Sequence, residues 1–168
     1  LVEPIILGVP EDVHTLLTDF GFSNPGITVI NPNNYANFDT MRQEFITLRK
    51  GKVDESQADE ILRDVNYFGV MLVQLGLAEG MVSGAIHSTA DTVRPALQII
   101  KTKSGVKRTS GVFLMVKDQH KFVFGDCAIN IEPDAETLAE IAIQSAETAK
   151  TFGIDPKVAM ISYSTKGS

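Results

Sequence analysis

With 168 residues, the chain fits one large domain or two small ones, and it can bury ~70% of its unfolded surface without disulfides or metals. Hydrophobic residues at 43%, charged residues at 21%, 13 Gly and 7 Pro are ordinary globular values that exclude a collagen-like or low-complexity chain. A net charge of −6 argues against a dedicated nucleic-acid binder, and one Cys with three scattered His gives neither an internal disulfide nor a zinc pattern.

In chain order, Ile5-Ile6-Leu7 reads as a short buried strand. Pro10 takes the first-turn position that helices tolerate, Val13, Leu16, Leu17 and Phe20 follow at helical spacing, and Gly21 is placed as the stop. Residues 27–30 predict a second strand, so the opening is a βαβ unit with parallel pairing and a right-handed crossover. Phe38, Met41, Phe45 and Leu48 mark one face of the next helix, which closes on Arg49, Lys50, Gly51 and Lys52. Ser56 with Asp59 predicts a capping box for a helix carrying Ala58, Ile61, Leu62 and Val65. Phe68, Met71, Leu72 and Leu75 predict a further helix, stopped by Gly76. Residues 81–86 predict a strand of small and apolar residues. It leads into 87–95 and a helix through 96–100, with Pro95 either as the first regular helical residue or as a kink in a helix begun earlier.

Residues 101–108 are polar and basic around Gly105, the signature of a linker or hinge. The β-rich runs 111–116 and 121–127 predict a hairpin across 117–120. Asp134 caps a helix whose core face is Leu138, Ile141, Ala142, Ala146, Ala149 and Phe152, with Glu136 near its N-terminus and Lys150 near its C-terminus, as the helix dipole favours. Gly153 ends it, and 158–161 predict a last strand.

The expected fold class is therefore α/β, a mainly parallel sheet with flanking helices. It comes in two parts: residues 1–104, part of a first α/β domain with an anion-binding turn at 87–94, and residues 105–168, a hinge and the start of a second domain. No apolar run reaches the ~20 residues of a membrane helix, and the cysteine usage suits a reducing cytosol, so a soluble cytoplasmic protein is expected. The chain opens on an apolar run without an initiator Met and closes just past another strand-like run, which predicts a segment of a longer protein.

The strongest candidate for chemistry is the turn at His87-Ser88-Thr89. Ligands of open α/β sheets bind at the carboxyl ends of strands, and a helix N-terminus offers free backbone N–H groups to an anion. Ser88 and Thr89 add hydroxyl donors, and Arg94 could reach back with a guanidinium fork suited to phosphate or carboxylate. Ser88 or Thr89 as a plain helix cap, with Arg94 pairing Asp91 on the surface, is the competing reading. Arg49 is either a cation answering the helix dipole or a second clamp on the same anion. Lys101, Lys103, Lys107 and Arg108 read as a solvated connector or as a contact for a polyanionic ligand. Cys127 reads as a small packed apolar residue rather than a nucleophile, His14 and His120 as surface residues, and His87 as a packed or capping histidine. Residues 162–168, with Ser164, Thr165 and Lys166, repeat the pattern of strand followed by a hydroxyl-rich, Gly-containing loop and are a candidate second ligand loop.

Five segments carry a resemblance: Asn66-Tyr67-Phe68-Gly69, Met81-Val82-Ser83-Gly84-Ala85, the run from His87-Ser88-Thr89 through Arg94-Pro95 to Thr102, Gly125-Asp126-Cys127-Ala128-Ile129-Asn130, and residues 158–165. Together they resemble the middle of bacterial phosphate acetyltransferases (phosphotransacetylases), most specifically over 87–102. The resemblance implies a reversible acyl transfer in which acetyl-CoA and phosphate give acetyl phosphate and CoA. CoA is then a substrate, and no separate cofactor or metal is expected. It also implies a two-domain fold like that of isocitrate and isopropylmalate dehydrogenases, and a homodimer. Arg49 and Arg94 would bind the phosphoryl group, and Ser88 and Thr89 its oxygens. The general base, an aspartate, and a serine–arginine pair would lie outside this segment, which alone would not turn over. Phosphate butyryltransferase, or a non-catalytic ligand-sensing module of a larger enzyme, are the alternatives.

Overall fold

Hydrophobic spacing and helix caps place most elements where the periodicity predicts them. The computed structural model describes residues 2–22 and 26–161, and it divides into two units, Leu1–Lys101 and Thr102–Ser168.

In the first unit, strand β1 (Ile5–Leu7) and strand β2 (Thr28–Ile30) pair in parallel around helix α1 (Pro10–Asp19), with Ile5 opposite Thr28 and Leu7 opposite Ile30. Pro10 is the first residue of α1, and Gly21 past its end takes a φ of 76°, which a Cβ would oppose. Helix α2 (Phe38–Arg49) drives Met41 and Phe45 into the core. Helix α3 (Glu55–Leu62) begins behind Asp54 rather than Ser56. The Asp54 carboxylate accepts from the Gln57 amide at 2.8 Å while the Gln57 side chain accepts from the Asp54 amide at 3.0 Å. That reciprocal pair satisfies two helix-end donors at once, and it leaves Ser56 inside the first turn.

Helix α4 (Val65–Gln74) is a separate element, because the Asp64 side chain accepts from the Asn66 and Tyr67 amides and so starts a new helix that takes Val65 with it. It is the central helix, with Phe68, Gly69, Val70, Met71 and Leu72 all buried and α3 and α5 packed on it. Helix α5 (Thr89–Ile99) begins behind Ser88 and runs through Pro95, so of the two expected arrangements the earlier start holds. Pro95 is fully buried, and α2 also packs against α5.

In the second unit, strands β3 (Val112–Lys117) and β4 (His120–Gly125) form the expected antiparallel hairpin, with Phe113 opposite Phe124 and Met115 opposite Phe122. Helix α6 (Ala135–Thr151) packs on β4 and buries Ile141 and Ala149, while Leu138 and Phe152 of its predicted core face stay exposed. Asp134 caps it by accepting from the Thr137 amide at 2.8 Å.

Two expectations are corrected. The sheet is not one mainly parallel layer: among the described residues there is one small parallel pair and one antiparallel hairpin. Residues 81–86 and 158–161 form no strand; Val82, Ile86 and Ile161 are exposed. Apolar composition makes a segment able to enter a sheet, but a strand also needs ladder hydrogen bonds to a neighbouring backbone, and neither run makes any among the described residues. The architecture is thus mixed α/β. No helix among the described residues is long and apolar enough to cross a membrane.

Candidate functional site

The candidate site is built at the mouth of α5 from a short cap and a long approach. Ser88 sits in extended conformation before the helix, and its Oγ accepts from the Asp91 amide at 3.1 Å. The same hydroxyl donates to the Asp91 carboxylate at 2.7 Å. Arg94 Nη1 lies 3.6 Å from the other Asp91 oxygen, and both side chains of that pair are more than half exposed. Ser88, Asp91 and Arg94 therefore form one continuous polar row along the first turns of the helix. Among the described residues, the Thr89 and Ala90 amides have no hydrogen-bond partner. They are the helix-end donors to which an anion binds.

Chemically, the row is a ready set of donors held by a weak lock. An exposed ion pair such as Arg94–Asp91 is worth about 0–1 kcal/mol, so a phosphate carrying more charge can compete with Asp91 for both Ser88 and Arg94. The surface pairing of Arg94 with Asp91 and the capping role of Ser88 are present in this structure, and neither removes these groups from an incoming anion.

Arg49 is the last residue of α2, followed by Lys50 in the left-handed region. Its side chain is half-buried, and its Nε is buried without a partner among the described residues. Helix α2 packs against α5, yet among the described residues no hydrogen bond or ion pair joins Arg49 to Ser88, Thr89 or Arg94. Ser164, Thr165 and Lys166 lie outside the described residues.

The approach to the cap is tied to α4 by two residues that spacing did not single out, Ser83 on the approach and Asn66 in α4. Asn66 is 2% exposed, and its Oδ1 accepts from Ser83 Oγ at 2.5 Å. The signal was available in principle: α4 is apolar nearly all round, and a polar residue in such a helix is buried with it.

The second unit supplies structural chemistry. Asp126 accepts from the backbone amides of Ala128, Ile129 and Asn130 and from the Asn130 side chain. Partial burial alone would raise this carboxyl, but those hydrogen bonds outweigh it and hold it at about 2. Cys127 is half-buried, and its thiol donates to the Phe124 carbonyl at 3.0 Å. Lys107 of the basic run pairs with Glu136 at 2.5 Å, and that hydrogen bond raises its pKa. A hollow of about 240 Å³ beside them is lined by Lys107, Arg108, Asp134, Glu136, Thr137 and Glu140, a mixture of signs that does not select an anion. Among the described residues, no His, Cys, Asp and Glu cluster could hold a metal ion.

Comparison with known proteins covers the whole chain. The family model described as Phosphate acetyl/butaryl transferase matches residues 1–168. The phosphate acetyltransferase of Bacillus subtilis is 54% identical over 168 residues, which is 100% of this chain and 52% of that protein. The phosphate acetyltransferase of Staphylococcus epidermidis is 55% identical over 167 residues, 99% of this chain and 51% of that protein. A crystal structure of a phosphotransacetylase from Streptococcus pyogenes superposes with a TM-score of 0.90 at 66% identity, covering 100% of this chain and 52% of that one. The chain spans about half the length of the curated relatives it matches.

Proposed function

The chain belongs to the phosphate acetyl/butaryl transferase family, and on that premise we propose that it is part of a phosphate acetyltransferase, which interconverts acetyl-CoA plus phosphate with acetyl phosphate plus CoA. In the direction of CoA acylation, an aspartate supplied from outside this segment takes the thiol proton. The thiolate attacks the acetyl carbonyl, the bond from the acetyl carbon to the phosphate oxygen breaks, and phosphate leaves.

The mouth of α5 is the phosphoryl site of this reading. The Ser88 and Thr89 hydroxyls and the free Thr89 and Ala90 amides hold phosphate oxygens. Arg94, with Arg49, stabilises the charge that builds on the leaving group without any proton transfer. Concentrated fixed positive charge of this kind binds anionic substrates despite the net −6 of the chain. Holding thiol and carbonyl in reacting geometry supplies much of the remaining acceleration. Ser164, Thr165 and Lys166 are assigned to substrate binding in the same reading. CoA is a substrate, and no further cofactor is required. The isocitrate/isopropylmalate dehydrogenase-like fold, the homodimer and the cytoplasmic location belong to the same proposal.

The observation that supports this reading most is the likeness of the entire chain to the Streptococcus pyogenes phosphotransacetylase. The test is a thioester assay on the full-length protein with CoA and acetyl phosphate. Acetyl-CoA formation is the expected result. Faster turnover of butyryl phosphate would move the reading to phosphate butyryltransferase. CoA binding with neither acyl phosphate consumed would favour a ligand-sensing module and overturn it.

A further inference from the structure

The proposed phosphoryl turn is the end of a segment that the fold holds by very little. Among the described residues, the backbone of residues 79–87 makes no hydrogen bond, although the segment connects the buried helix α4 to the cap of α5. Side chains hold it instead. Met81 lies against Gly69, where an added Cβ would come within 2.6 Å of the Met81 sulfur. Two residues on, the Ser83 hydroxyl donates to Asn66 Oδ1 at 2.5 Å, although Ser83 itself is an exposed residue. Immediately after, Gly84 takes a φ of 111°, and the chain turns toward the cap.

Asn66 is the unusual partner. It lies in the second position of α4, 2% exposed, in a helix whose other buried residues are apolar or Gly. Its Nδ2 is buried with no hydrogen-bond partner among the described residues. A buried amide with an unmet donor costs free energy that an apolar residue would not. Packing therefore does not account for Asn66, whereas its bond to Ser83 does: it is the one polar side-chain link from the core to the 79–87 segment among the described residues.

We propose that Asn66 is a positioning residue, which through Ser83 fixes the approach segment so that Ser88 and Thr89 are presented to phosphate oxygens. The role rests on the functional reading above and deepens it. Asn66 and Ser83 touch no substrate in it; they reduce the ordering that the turn would otherwise undergo when phosphate binds, which is the energetic benefit of preorganisation.

The test uses the full-length protein with Ser83→Ala, Ser83→Thr and Asn66→Ala. Ser83→Ala removes the link from its exposed side, where folding is little affected. It is expected to raise the KM for acetyl phosphate by about tenfold, with KM for CoA and Tm unchanged. Ser83→Thr, which keeps the hydroxyl, should restore most of the loss. Adding Asn66→Ala to Ser83→Ala should not raise that KM further, since both remove one interaction. In parallel, inorganic phosphate should slow amide hydrogen exchange at Thr89 and Ala90 in the wild type, and should slow it less at the same phosphate concentration in Ser83→Ala. An active wild type whose Ser83→Ala variant has the same KM for acetyl phosphate and the same slowing of Thr89 and Ala90 exchange by phosphate would overturn the positioning role alone. A wild type with neither acyl transfer nor phosphate-slowed exchange would overturn the functional reading and this role with it.

Discussion

Asp126 offers the sharpest thermodynamic prediction. Its carboxylate closes the loop after β4 by accepting from the Gly111, Ala128, Ile129 and Asn130 amides at 3.2, 3.0, 3.2 and 2.8 Å, and from Asn130 Nδ2 at 2.6 Å. Partial burial opposes ionisation, yet the hydrogen bonds carry the pKa down from 3.8 to about 2. At 1.36 kcal/mol per pKa unit, that gap is worth roughly 2 kcal/mol. Solvent screening at a partly open site leaves about 1 kcal/mol. The folded value lies below the unfolded one, so this stability is fully present above about pH 4 and is lost as the pH falls toward about 2. Asp126→Asn keeps the shape and removes the charge. The variant should be about 1 kcal/mol less stable at neutral pH, and the difference should narrow as the solution is acidified. In urea titrations followed by circular dichroism, that corresponds to a midpoint lower by roughly 0.5 M at a slope of ~2 kcal/mol per M. Equal midpoints at neutral pH, or a gap that does not change on acidification, would refute the reasoning.

Other outcomes follow from the same geometry. Phe68 is fully buried and meets Tyr35 edge-to-face at 5.2 Å, so Phe68→Ala should destabilise the protein by about 3–5 kcal/mol, read as a large drop in Tm. Asp54→Ala removes the cap that α3 uses and should cost about 1 kcal/mol, whereas Ser56→Ala should be nearly silent; paired denaturation curves separate the two. The 168-residue segment by itself should give no acetyl-CoA from CoA and acetyl phosphate, because it lacks the proposed base, and sustained turnover by it would contradict that assignment.

What could be read from the sequence was local. The β1–α1–β2 unit, the face of α2, the hairpin and the Asp134 cap of α6 follow from apolar period, Pro and Gly placement and capping chemistry within a few residues. Ser88 was legible for the same reason, since a hydroxyl before a helical run is itself the signal. The cap at Asp54 was missed because Ser56 with Asp59 matches the capping pattern by residue type, and the reciprocal bonds between Asp54 and Gln57 exist only in the folded chain. Residues 81–86 and 158–161 were misread because a strand is a relation between two segments, and composition describes only one of them. Asn66 and Ser83 stood in the sequence only within segments of the resemblance, and their link was not legible because they are seventeen residues apart. The apolar run of α4 signals that Asn66 is buried, but which side chain it meets is a property of the packed unit.

The most direct measurement is kcat/KM for acetyl phosphate in the full-length protein, compared between wild type and Arg94→Ala, with circular dichroism to verify the fold. Arg94 is exposed and its pair with Asp91 contributes little to stability, so the variant should fold normally. If its guanidinium stabilises the departing phosphate, kcat/KM should fall by ~10²–10³, the loss typical of removing one oxyanion donor. A folded Arg94→Ala protein that transfers acetyl groups at the wild-type rate would contradict it.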